Sequence, residues 1–198
     1  MEPAGERSPA LQGVAFGVSI LSFFALGWLG WGTGGHLPTG AQIALMVVAA
    51  LVSVGLAAFA WRRWRTTRLP AVPDIERRLS GRAFGVIIGV EWIGLGIVSG
   101  ILGGTGHTDA IAPVICAGVG LHFIPLAQLF GVRAYYVTAA VMCLLAVLTF
   151  ILAPSTPALW TVLPGVGAAI TLYATCIALL AWNPTRGTLT AATSSPAR

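Results

Sequence analysis

Six stretches of about 20 apolar residues divide the chain between Leu11 and Trp182, and each is long enough to cross ~30 Å of hydrocarbon as a helix. One such stretch fits inside a soluble core. Six in 198 residues do not, so the expected fold is all-α, an integral membrane bundle of six transmembrane helices. Composition agrees, with 57% of residues hydrophobic and 9% charged, against roughly 25% charged in an average soluble domain.

The spans are read as residues 11–31, 41–61, 82–103, 110–130, 134–153 and 159–182, one transmembrane domain over 11–182 with polar tails at 1–10 and 183–198. The first exceeds the roughly 7–15 apolar residues of a signal peptide and is followed by five more, so it is read as retained. The arginine-rich loop 62–82 joins spans two and three. Within it Pro70 and Pro73 break any helix, and Asp74 to Leu79 reads as a short amphipathic turn on the membrane surface, capped by Asp74.

All eleven basic residues are arginines, and seven lie between Arg62 and Arg82. A compact basic loop between two apolar spans marks the cytoplasmic side. Both termini, Arg133 and Arg186 then fall on that side, and the arginine-free loops with His36, with His107 and Asp109, and with Pro154 to Pro157 fall outside. The net charge of +5 therefore addresses anionic lipid. Nucleic acid is not an expected partner, because no aromatic-interleaved basic face or reading motif accompanies the charge. Cys116, Cys143 and Cys176 are scattered through apolar spans without a CxxC pair or nearby histidine, so they read as reduced core residues and no metal site is expected.

Gly13 to Ile20 (GVAFGVSI) and Gly81 to Ile88 (GRAFGVII) agree at six of eight positions, and each is followed by a Gly-Thr-Gly-containing loop ending in His36 or His107. This pattern predicts that the first two hairpins are copies in parallel orientation, with the third a diverged copy, or else that Gly, Ala and Val recur by convergence. Gly13/Gly17, Gly85/Gly89 and Gly96/Gly100 are small-xxx-small pairs. They are expected to pack helices within the chain or, alternatively, to form a homo-oligomer interface.

Glu91 is the most informative position, because an ionisable residue in the middle of a span is a functional-site candidate by default. It stands nine residues from Arg82, ~13 Å along a helix, and His122 stands eleven residues from Arg133, ~16 Å from the same edge. The two share a depth. Hydrocarbon favours a neutral carboxyl, and an adjacent imidazole can share or relay its proton, so a Glu91–His122 pair would be an acid/base element near the midplane. The plainer use of such a pair is a structural helix–helix hydrogen bond. Pro125 leaves the Leu121 carbonyl without its donor and invites a kink beside His122.

Trp92 is the third candidate catalytic residue, since its ring could face a cationic intermediate at mid-depth. Gln128 and Tyr173 within spans, and His107 and Asp109 in an outer loop, are binding candidates. Interfacial belts, a loop and a helix cap at Asp109 are the ordinary explanations for them. The belt also accounts for Trp28, Trp31, Trp61, Trp64, Trp160 and Trp182, and for Tyr135 and Tyr136. No Walker or Rossmann glycine pattern, HExxH or GxSxG occurs, and carboxylates do not cluster, so no cofactor is expected.

The segment Gly120-Leu-His122-Phe-Ile-Pro125-Leu-Ala-Gln-Leu-Phe130, followed by Arg133, Tyr135 and Tyr136, resembles a GLHFxPLAxLF stretch of small bacterial polytopic membrane proteins. That resemblance covers the middle third of the chain and treats Glu91 and His122 as a unit, without supplying an activity. With the lysine-free, Ala/Gly/Arg-rich composition it implies a bacterial inner (plasma) membrane. Three functions are carried forward. The first is a membrane-embedded enzyme that protonates a lipid-like or isoprenoid substrate from Glu91, similar in character to small integral membrane terpene cyclases. The second is a small proton-coupled transporter or channel. The third is a non-catalytic accessory protein whose arginine loop docks a partner or anionic lipid.

Overall fold

The computed structural model describes residues 9–67 and 74–181, and over 9–10 and 74–80 the backbone alone. The two terminal tails, Trp182, and the break expected at Pro70 and Pro73 lie outside the described residues. The protein is a six-helix all-α bundle: α1 (Pro9–Thr33), α2 (Thr39–Thr66), α3 (Asp74–Gly104), α4 (Ile111–Phe130), α5 (Arg133–Leu152) and α6 (Leu159–Ala181), with a short 3-10 turn (Thr108–Ala110) before α4. All six helices are long and apolar enough to cross a membrane, a multi-pass architecture.

Two helices extend beyond their expected ends. α2 continues through Arg62, Arg63 and Arg65 to Thr66, and α3 begins at Asp74 without a separate surface turn. The reason is local: neither stretch contains proline, and arginine, leucine and glutamate are good helix formers. The basic loop is therefore shorter than its sequence implies, and part of it forms helix ends.

The chain folds back on itself between neighbours, α1 on α2, α3 on α4, α4 on α5 and α5 on α6, and α6 closes against α1 in the most extensive contact. The core this creates is built from small residues. Ala15, Val18, Ala25, Cys116, Met142, Ala168 and Cys176 are fully buried, and all three cysteines are free. Where lipid gives apolar faces no reason to associate, close approach and interhelical hydrogen bonds supply the adhesion. Ser53 Oγ reaches the Ser22 carbonyl at 3.2 Å and pairs with Tyr173 Oη at 2.9 Å, joining α2 to α1 and α6. Trp61 Nε1 donates to Ser19 Oγ at 3.1 Å, and Thr138 and Thr175 hydroxyls meet at 2.6 Å between α5 and α6.

The closest backbone approach is not at the glycine pairs that sequence spacing picks out. A Cβ added at Gly13, Gly85, Gly89, Gly96 or Gly100 would meet nothing within 4 Å. One added at Gly165 would lie 2.6 Å from Gly32 N and 2.9 Å from Trp28 O, because α1 and α6 touch backbone to backbone there. Sequence spacing reports that a helix face is smooth and leaves open whether another helix lies on it.

Arg63 donates from Nη1 to the carbonyl of Leu180, in the last turn of α6. Pro184, four residues on, has no N–H to offer that carbonyl, so the guanidinium supplies a donor it would otherwise lack. Arg63→Ala is therefore expected to destabilise the α2–α6 junction by about 1–2 kcal/mol, while Arg62→Ala, on the exposed face of α2, changes little. Thermal unfolding of the two variants in the same detergent tests this; equal melting temperatures would sink it.

Candidate functional site

α3 stands apart from the rest. None of the residues 81–104 is fully buried, and its main helix contacts are with α4 and the 3-10 turn that precedes α4. Between α3 and α1 lies a cavity of about 990 Å³, floored by α4, α6 and the start of α5. On α1 its lining runs from Gly13 to Trp31 and on α3 from Gly81 to Ser99, roughly 27 Å at 1.5 Å per residue. The cleft is nearly as tall as the hydrocarbon of a bilayer. Its volume lies at the top of the roughly 300–1,000 Å³ range of ligand pockets.

The two similar segments face each other across this cleft. Gly13 and Gly81, Phe16 and Phe84, and Ile20 and Ile88 line it from opposite sides, and so, with the same spacing, do Phe24 and Trp92. The rings of Phe24 and Trp92 are 6.2 Å apart at an angle of 44°, bridging α1 and α3 at mid-height. Trp92 is 59% exposed, so it stands at the mouth of the cleft and not beneath it. Helices α1 and α3 also end alike, since Gly35 (φ +76°) and Gly106 (φ +80°) each precede a histidine in a left-handed turn.

Glu91 and His122 meet inside the cleft. His122 Nδ1 lies 3.1 Å from Glu91 Oε2, with the side chains only 8% and 13% exposed. The contact is close but falls off the line of the ring N–H, so it does not form an aligned hydrogen bond and the buried nitrogen lacks an aligned partner. α4 runs on as a helix through Pro125 and carries His122 on the face opposite Glu91. A ladder of rings then descends the floor, with His122 5.9 Å from Phe123 and Phe123 5.4 Å from Tyr135. Gly131 makes this ladder: its left-handed φ of +64° ends α4 and turns the chain directly into α5.

The other sequence candidates lie elsewhere. Tyr173 faces α2, where its hydroxyl pairs with Ser53 and donates to the Ala49 carbonyl at 3.2 Å. Gln128 is exposed and does not line the cleft. His107 and Asp109 are exposed in the turn between α3 and α4, with His107 Nδ1 3.2 Å from Thr105 Oγ1. Asp109 caps nothing, because neither the 3-10 turn nor α4 has a side-chain cap bond. His36 pairs with Thr161 Oγ1 at 3.0 Å, tying the loop between α1 and α2 to α6.

Besides Trp31, two more residues assigned to the interfacial belt line the cleft. Trp28 is buried and stacks on Trp31 with centroids 5.4 Å apart, and Tyr135 is 8% exposed. The sequence signal for both is an aromatic ring near a span end, which belt and pocket residues share. Among the described residues no three His, Cys, Asp or Glu side chains are grouped as metal donors. No protein-family model matches the chain, and no curated protein or solved structure does either.

Proposed function

We propose that the protein is a membrane-embedded enzyme that takes a lipid-soluble, isoprenoid-like substrate into the α1–α3 cleft and acts on it by proton transfer from Glu91. The single observation that carries this reading is the Glu91–His122 contact of 3.1 Å inside a cavity of about 990 Å³ whose lining is otherwise almost wholly apolar. A purely structural pair needs no such space beside it. An acid/base pair facing an apolar chamber of ligand size does.

The chemistry follows from the residues available. The Glu91 carboxyl donates its proton to a substrate alkene, whose π electrons form the new C–H bond and leave a tertiary carbocation. Aromatic faces from Trp92, Phe123 and Phe24 lie around the cleft to stabilise that cation. Loss of a proton from a neighbouring carbon to the Glu91 carboxylate, with His122 holding the proton between turnovers, restores the enzyme. The net reaction is an isomerisation or cyclisation, balanced without oxidant or reductant. On this reading the protein sits in a bacterial inner membrane with the arginine-bearing ends of α2, α3 and α5 and both termini at the cytoplasm.

The test is to supply the protein, in liposomes made in deuterated water, with a polyprenyl alkene and to analyse the lipid extract. The expected product is an isomer of the substrate carrying one deuterium on carbon. A substrate recovered without deuterium or rearrangement, by protein whose fold is intact, would overturn the proposal. The transport reading is favoured if the same vesicles instead move protons when a substrate gradient is imposed.

A further inference from the structure

Tyr135 is more than nine-tenths buried, its side chain lines the cleft, and its hydroxyl makes no hydrogen bond to any described residue. The hydroxyl faces the bare backbone of Gly17 on α1, where an added Cβ would stand 3.5 Å from Oη. The oxygen itself is not sealed off, so it is open to the cleft it lines and can donate to what enters there.

The rest of the lining limits what that ligand can be. Among the described residues that line the cleft there is no arginine, and the one imidazole, His122, already faces the one carboxyl, Glu91. A phosphate, diphosphate or carboxylate head would be held without a counter-charge in an apolar surround, which burial of an ion does not tolerate. A neutral oxygen is free of that penalty. Gly17 precedes Phe24 by seven residues, about 10 Å of helix, and Phe24 touches Trp92 beside Glu91.

Resting on the reading of the cleft as a substrate chamber, we infer that its ligand is an uncharged, single-headed amphiphile, an alcohol or carbonyl compound with a long apolar body. Its oxygen sits on Tyr135 Oη, and its body runs past Phe123 to Glu91 and His122. Tyr135 is then a binding residue that fixes which carbon of the chain reaches the acid, about 10 Å from the head.

The experiment uses the full chain in phosphatidylcholine nanodiscs and follows the fluorescence of the cleft tryptophans. The probes are geranylgeraniol, the matching hydrocarbon with methyl in place of hydroxymethyl, and geranylgeranoic acid. Wild-type protein should bind the alcohol about tenfold tighter than the hydrocarbon and the acid anion no tighter than the hydrocarbon. Tyr135→Phe, which keeps the ring on Phe123, should abolish the alcohol's advantage and leave hydrocarbon binding unchanged. Gly17→Ala, which sets a methyl in van der Waals contact with the hydroxyl at 3.5 Å and fills space beside it, should reduce that advantage. Equal binding of alcohol and hydrocarbon to wild type, or an advantage that survives Tyr135→Phe, overturns the inference while the chamber stands. An acid that binds as well as the alcohol overturns the neutral-head assignment. If no probe perturbs the tryptophans, the chamber itself is refuted.

Discussion

Gly165→Ala should lower the melting temperature by roughly 4–8 °C, although alanine is the better helix former. The new methyl would lie 2.6 Å from Gly32 N and 2.9 Å from the Trp28 carbonyl, and backbone cannot rotate out of the way as a side-chain tip can. Overpacking of a rigid contact costs about 3 kcal/mol, which exceeds the ~1 kcal/mol that alanine gains over glycine in a helix. For a chain of this length each kcal/mol moves the midpoint by roughly 2–4 °C. Gly89→Ala and Gly100→Ala are the matched controls, since nothing lies within 4 Å of either added methyl, and they should melt no lower than wild type. A Gly165 variant that melts with its controls would mean that α1 and α6 do not touch there.

Glu91→Gln is expected to reduce turnover of the deuterium-labelling reaction by two to four orders of magnitude, the usual contribution of a general acid. Glutamine keeps the size and hydrogen-bonding capacity of the side chain and removes only the transferable proton. Binding of the apolar probes should therefore be retained, and the loss should fall on kcat. His122→Ala should lose nearly as much. The double variant should be no worse than Glu91→Gln alone, because residues acting as one unit are not additive. Additive losses would show that the 3.1 Å contact is not a working pair. Full activity of Glu91→Gln would end the acid/base mechanism.

How much of this was legible beforehand differs from one residue to the next. The six spans follow from length and apolarity alone, since the bilayer fixes both. The Glu91–His122 pair follows from depth, because each is the one ionisable group near the middle of its span, at similar distances from an arginine edge. Rotation about the helix axis is another matter. It decides that Tyr135 turns inward and Tyr173 toward α2, that Gly165 meets a backbone and Gly89 meets none, and that Trp28 is covered while Trp92 stands at the mouth. Rotation is set by packing between helices distant in sequence, such as α1 and α6, and no local pattern encodes it.

The loose seating of α3 has a kinetic consequence. On the proposed reading, the side of the cleft that no helix covers faces lipid, so the quantity that would set its occupancy is the mole fraction of substrate in the bilayer, and host acyl chains would compete for the same space. Rates should fall when inert lipid is added at constant total substrate and should be indifferent to the volume of water. Saturation curves plotted against bulk concentration would then differ between preparations, and those plotted against surface concentration would coincide.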